Sequence, residues 1–256
     1  MPAPVNLFKQ RLLAGETLIG CWLSLGEGPT AEIMGTAGFD WLLIDGEHAP
    51  NDLRSIRDQL LALESSPSSS LVRVPSGVDW LMKQMLDAGA QTLLVPMVET
   101  AEDAEAMVKA CRFPRAGIRG VGAAAARSGR FGSIPDYMST ADAQICVLVQ
   151  VESLKGVENL DEILQVDGLD GVFVGPADLA SDMGLQGNAM HPETVKMVCD
   201  VITRIAASGK APGSLAIDNA IARQYLAAGA RFLAVGIDVL LMVKTARDLA
   251  ARFKET

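Results

Sequence analysis

Eight short apolar runs recur along the 256-residue chain, and this regular return constrains its fold more than any other feature. They are "TLIGCWLSL" (17–25), "WLLID" (41–45), "SLVRV" (70–74), "TLLVPM" (92–97), "ICVLVQVE" (145–152), "GVFVGP" (171–176), "GSLAI" (213–217) and "FLAVGID" (232–238). Most are continuously apolar rather than alternating, the pattern of parallel strands buried on both faces. Amphipathic segments such as "AEDAEAMVKACRF" and "NAIARQYLAAGA" lie between them, with helix-stopping glycines at Gly89 and Gly229 before the next run. Eight strand and helix alternations in a chain of this length predict a single (β/α)8 barrel spanning 1–256 rather than an open doubly wound sheet. No linker divides the chain, because "ESSPSSS" (64–70) is short enough to be the loop into the third strand. The longest irregular stretch, roughly 113–140, is a candidate functional loop.

Charge and cysteine usage narrow the partners. A formal net charge of -9 without clustered Lys and Arg argues against nucleic acid. No apolar run reaches the roughly 20 residues of a membrane span, and "MPAPVNLFKQRLL" lacks a secretory apolar core. The expectation is a cytoplasmic protein acting on a small molecule. Cys21, Cys111, Cys146 and Cys199 form no CxxC pair and read as buried thiols.

In a barrel of this kind active sites form where strands end and βα loops begin, so polar residues at strand C-termini become candidates. Glu152 and Asp178 follow adjacent strands, and two carboxylates facing one crevice repel unless a cation lies between them. The alternative is that each caps its own helix. Arg73, flanked by valines, holds either an oxyanion or a structural partner at the rim. His48 stands three residues after Asp45, a spacing at which a carboxylate orients an imidazole as a base; local backbone bonding is the other reading. His191, before a proline and a helix start, reads as structural, and "RGVG" (119–122) as a turn. No lysine lies inside a predicted strand, so a desolvated Schiff-base amine is not expected; Lys155 is the one lysine near a mouth.

Several of these stretches together carry a likeness. "AGFDWLLIDGEHAPND", "GAQTLLVPMVETAEDA", "RGVGA", "LVQVES", "LDEILQVDGLDGVFVGPADL" and "AVGID", in that order, resemble the class II, metal-dependent pyruvate aldolases of the 4-hydroxy-2-oxoheptanedioate aldolase family. The resemblance implies a (β/α)8 barrel assembled as a homohexamer, a trimer of dimers, with the last helix exchanged between paired subunits. It implies reversible cleavage of 4-hydroxy-2-oxo acids to pyruvate and an aldehyde, with a divalent metal (Mg²⁺, Mn²⁺ or Co²⁺) held by Glu152 and Asp178. By the same resemblance Arg73 stabilises the enolate, His48 and Asp45 form an acid/base pair, and Gln150, Gly175, Pro176 and Ala177 contact pyruvate. One departure is the run "AAAA" at 123–126, where the family pattern has a serine, which bears on the preferred aldehyde. Two rival readings are an acyl-CoA hydroxy-acid lyase, using Arg112, Arg115, Arg119, Arg127 and Arg130 for nucleotide phosphates, and a non-catalytic sensor of 2-oxo acids.

Overall fold

A computed structural model describes residues 1–122 and 125–254. Each of the eight apolar runs contains or overlaps one strand: β1 (Leu18–Leu23), β2 (Trp41–Asp45), β3 (Ser69–Arg73), β4 (Thr92–Val95), β5 (Cys146–Val151), β6 (Gly171–Val174), β7 (Ala211–Leu215) and β8 (Phe232–Ile237). They pair in parallel and in sequence order, and β8 closes on β1, giving a single (β/α)8 barrel. The runs are continuously apolar because alternate residues face two different cores. In β5, Val147 and Val149 pack outward against the helical shell, while Cys146 and Leu148 fill the barrel interior. Among the described residues no helix is long and apolar enough to cross a membrane.

The N-terminal end of the barrel is closed by the helix Leu7–Leu13. Phe8 sits edge-on to Trp41 at 6.2 Å and to Phe232 at 6.1 Å between ring centroids. Space for those rings comes from two strand glycines: a Cβ on Gly20 would lie 2.1 Å from the Trp41 ring, and one on Gly213 2.4 Å from the Phe232 ring. Polar groups here find partners. Asn6 Nδ2 donates to Gln91 O, Gln144 O and Thr92 Oγ1, and Lys9 pairs with Asp170 at 3.0 Å.

Residues 111–145 join the helix Ala101–Ala110 to β5, so they are a helix-to-strand connection on the N-terminal side, away from the mouth. The candidate functional loop, roughly 113–140, falls within this connection. Four of its five arginines fasten it in place. Arg119 is buried and reaches Asp87 at 3.1 Å, with its guanidinium over Phe113; Arg127 and Arg130 both pair with Glu64, and Arg112 donates to Asp142 O. Ala123 and Ala124, the first half of the "AAAA" departure, lie outside the described residues.

Candidate active site

Strand alternation delivers Asp45, Arg73, Gln150 and Glu152 to the C-terminal mouth of the barrel, all of them buried. Arg73 is the hub. Its Nε donates to Asp45 Oδ1 and its Nη2 to Asp45 Oδ2, both at 2.8 Å, a bidentate fork that fixes the plane of the guanidinium. The ring of Trp22 lies 4.3 Å beneath that plane. On the remaining nitrogen, Nη1, Glu47 Oε2 approaches to 2.7 Å as an ion pair without hydrogen-bond alignment. Of the two readings of Arg73, the structure shows the structural pairing, with Asp45.

Asp45 does not take the expected partner. Its Oδ1 also accepts from the backbone N–H of Glu47 and of His48, so the carboxylate is folded onto its own turn and onto Arg73. The three-residue spacing brings it to the His48 backbone, not to the imidazole. That imidazole is 66% exposed, and Glu47 Oε2 lies 3.9 Å from its Nε2. Glu47, without a role in the sequence, therefore stands between the guanidinium and the histidine. Burial pushes its carboxyl above the ordinary value, against the pull of Arg73.

Glu152 is only 4% exposed, with Oε1 accepting from the Met97 N–H at 2.9 Å and Oε2 from Gln150 Nε2 at 2.7 Å. Met97 donates from a left-handed backbone, φ 54°, which is strained for a residue with a side chain. Burial, with the negative charges of Asp178 and Glu47, pushes the Glu152 carboxyl up to about 7. Gly175 gives it room, since a Cβ there would meet Glu152 Oε2 at 2.3 Å. The capping alternatives find no support: Ser153 caps the helix after Glu152, and Asp178 sits in the first turn of Pro176–Asp182, where no side chain caps the start. His191 does cap its helix, as expected, with Nδ1 accepting from the Glu193 N–H.

The residues fit a hard divalent cation by three observations. The donors are oxygens; their charges repel one another across the mouth; and Gln150 Oε1 is a buried acceptor without a partner. Among the described residues no group of three or more His, Cys, Asp and Glu is placed to hold an ion. Glu152 and Asp178 are the two carboxylates that would hold such an ion, the rest of its shell being open to water and substrate oxygens.

Sequence reasoning missed Trp22, Met97 and the task of Glu47. Trp22 lies inside an apolar run like any core residue, and its contact with Arg73 crosses from β1 to β3. Its Nε1 is a buried donor without a partner, which no sequence pattern reports.

Comparison with known proteins places this arrangement. The HpcH/HpaI aldolase/citrate lyase family matches residues 18–245. A hydroxypyruvate/pyruvate aldolase of Roseobacter denitrificans is 57% identical over 255 residues, covering 100% of both chains. A 4-hydroxy-2-oxo-heptane-1,7-dioate aldolase of Salmonella dublin is 53% identical, covering 97% of this chain and 94% of that one. The crystal structure of a family protein from Burkholderia cenocepacia superposes with a TM-score of 0.93 at 43% identity, covering 98% of this chain and 100% of that one. With its eight-stranded barrel and its polar mouth, the chain belongs to the HpcH/HpaI aldolase/citrate lyase family of carbon–carbon lyases.

Proposed function

We propose that this chain is a metal-dependent aldolase that reversibly cleaves 4-hydroxy-2-oxo acids to pyruvate and an aldehyde. The observation that carries the reading is the Arg73 guanidinium, buried and held by Asp45 beside Glu152. Glu152 and Asp178 would hold Mg²⁺, Mn²⁺ or Co²⁺, which when bound supplies Lewis-acid polarisation of the 2-oxo group. Gln150 and the Gly175–Ala177 backbone complete the pyruvate contacts. His48, free to swing in solvent, takes the 4-hydroxyl proton directly or through a water. The C3–C4 bonding pair moves to C3, the aldehyde leaves, and the pyruvate enolate develops against Arg73. Because Asp45 fixes the guanidinium before substrate arrives, little reorganisation is needed as that charge develops. Protonation at C3 gives pyruvate.

Four of the five arginines of the acyl-CoA reading have internal partners on the other side of the barrel, which counts against a phosphate site there. A homohexamer with exchanged last helices is part of the proposal. In the 17-residue helix Asp238–Lys254 only Asp238 is buried, while Leu240, Leu241, Met242 and Leu249 are exposed, as befits a helix whose cover comes from another subunit. Four free cysteines fit a reducing, cytoplasmic setting.

The test is pyruvate release from 4-hydroxy-2-oxo acids with each of the three metals, and after treatment with a chelator. Turnover lost to the chelator and restored by metal is expected. Full activity in metal-stripped protein, or a borohydride-trapped pyruvate adduct, overturns the metal assignment, and binding without turnover favours the sensor. Light scattering should give six times 27.0 kDa, about 162 kDa; a monomer overturns the assembly.

A further inference from the structure

Resting on the aldolase reading, we infer that the site takes 4-hydroxy-2-oxo acids whose C4 substituent is uncharged and apolar, in preference to those ending in a second carboxylate. The charges of the mouth carry the argument. The eight connections that leave the strands toward the next helix, residues 24–27, 46–52, 74–78, 96–100, 152–153, 175, 216–218 and the β8 junction, contain no Lys or Arg. They contain Glu27, Glu47, Asp52, Glu99, Glu152 and Asp218. Cations just beyond are committed: Lys155 pairs with Glu99 at 2.9 Å, and Arg54 stands beside Asp52.

Among the described residues Arg73 is the one cation delivered to the interior of the mouth, and it faces Asp45 and Glu47 already. The carboxylate and enolate oxygens of the pyruvate half engage it. A second carboxylate on the aldehyde half then meets Glu27, Glu47, Asp52, Glu99 and Asp218 with no Lys or Arg in the connections to offset them, and discrimination built on repulsion is as effective as discrimination built on attraction. The same rim offers apolar contact. Met97, whose N–H binds Glu152, is 54% exposed; Ile217, two residues past β7, is 54% exposed; Leu154 and Val78 lie at the ends of the β5 and β3 connections, each 37% exposed. Apolar side chains exposed around a polar centre suit an alkyl or aryl substituent.

The Salmonella dublin relative is named for a 1,7-dioate, which makes that compound the natural comparison. A matched pair makes the experiment: pyruvate release from 4-hydroxy-2-oxoheptanoate and from 4-hydroxy-2-oxoheptane-1,7-dioate, with Mg²⁺ and the wild-type assembly. The neutral compound should have at least about a tenfold higher kcat/KM, and the ratio should shrink as salt screens the repulsion. Equal rates, or a preferred dioate, overturn the inference while leaving the aldolase reading standing. Pyruvate from neither compound, with any of the three metals, overturns that reading and the inference together. Ile217→Arg supplies the missing cation at an exposed position. It should raise the dioate's kcat/KM relative to the neutral compound's by about tenfold or more, and an unmoved ratio counts against the inference.

Discussion

The two ends of the barrel are built from the same alternating strands, yet they spend their polar groups differently. At the closed end Asn6, Lys9 and Asp170 satisfy one another or the backbone, over a stack of Phe8, Trp41 and Phe232. At the open end Trp22 Nε1, Gln150 Oε1 and Glu47 Oε2 are buried without hydrogen bonds, and Met97 holds a left-handed backbone. An unmade buried hydrogen bond costs about 1–3 kcal/mol, a burden the mouth carries and Asn6, Lys9 and Asp170 do not; on the closed side it recurs only away from that stack, at Arg119 and Ser128 among the described residues. The lesson is a division of labour: one end supplies cohesion, and the other spends some of it to hold charges poised for a ligand.

The sharpest way to break the contrast is to damage the floor. Phe8→Ala should cost about 3–5 kcal/mol of stability by denaturant titration while leaving turnover per folded molecule near normal. A loss of turnover without loss of stability would mean that the ends are not separable. Second in size is the pH response of the mouth. Glu152 titrates near 7 in the fold against an ordinary 4.5, so the native state holds a proton that the unfolded chain releases. Its contribution to stability is fully present below about 4.5 and lost as pH rises through about 7. The metal-free protein should thus lose about 3 kcal/mol over that window relative to Glu152→Gln, measured by melts at pH 5 and 8. Parallel pH profiles would remove Glu152 as the burdened group.

Next comes Arg73→Ala, expected to lower kcat about 100-fold or more. Arg73→Lys should recover little, because an ammonium cannot reproduce the fork to Asp45. Near-normal turnover in either variant takes Arg73 out of the chemistry. Smallest is Glu47→Gln, which keeps the shape beside Nη1 and removes the charge. A fall of about tenfold in kcat is expected, with stability unchanged or slightly raised as a repelling carboxylate disappears from beside Asp178. A large loss of stability instead would make Glu47 part of the cohesive framework.

Most of the scaffold was legible because burial on two faces leaves a continuous apolar signature, and β2 begins and ends where "WLLID" does. Position at the strand C-termini nominated Asp45, Arg73, Gln150 and Glu152, and the strands do end at or beside them. What did not show was which of them touch. Asp45 and Arg73 are neighbours through the register of β2 on β3, a tertiary fact, whereas the three-residue spacing to His48 suggested a pairing that the turn geometry spends on backbone N–H groups instead. The stretch 113–140 could be read only as a candidate functional loop, because length and irregularity do not say at which end of a barrel a loop lies. Only counting strand, helix, loop in order places it on the far side from the chemistry.

The glycines that make room for the floor aromatics have a consequence for recombination between related barrels. Gly20 and Trp41 sit on β1 and β2, and Gly213 and Phe232 on β7 and β8, so each ring and its vacancy are inherited as a couple. A chimera joined between β1 and β2, or between β7 and β8, can receive a bulky residue opposite a bulky residue, or a hole opposite a hole. Crossovers placed anywhere from the end of β2 to the start of β7 keep both couples intact, and those are the junctions at which gene halves should exchange.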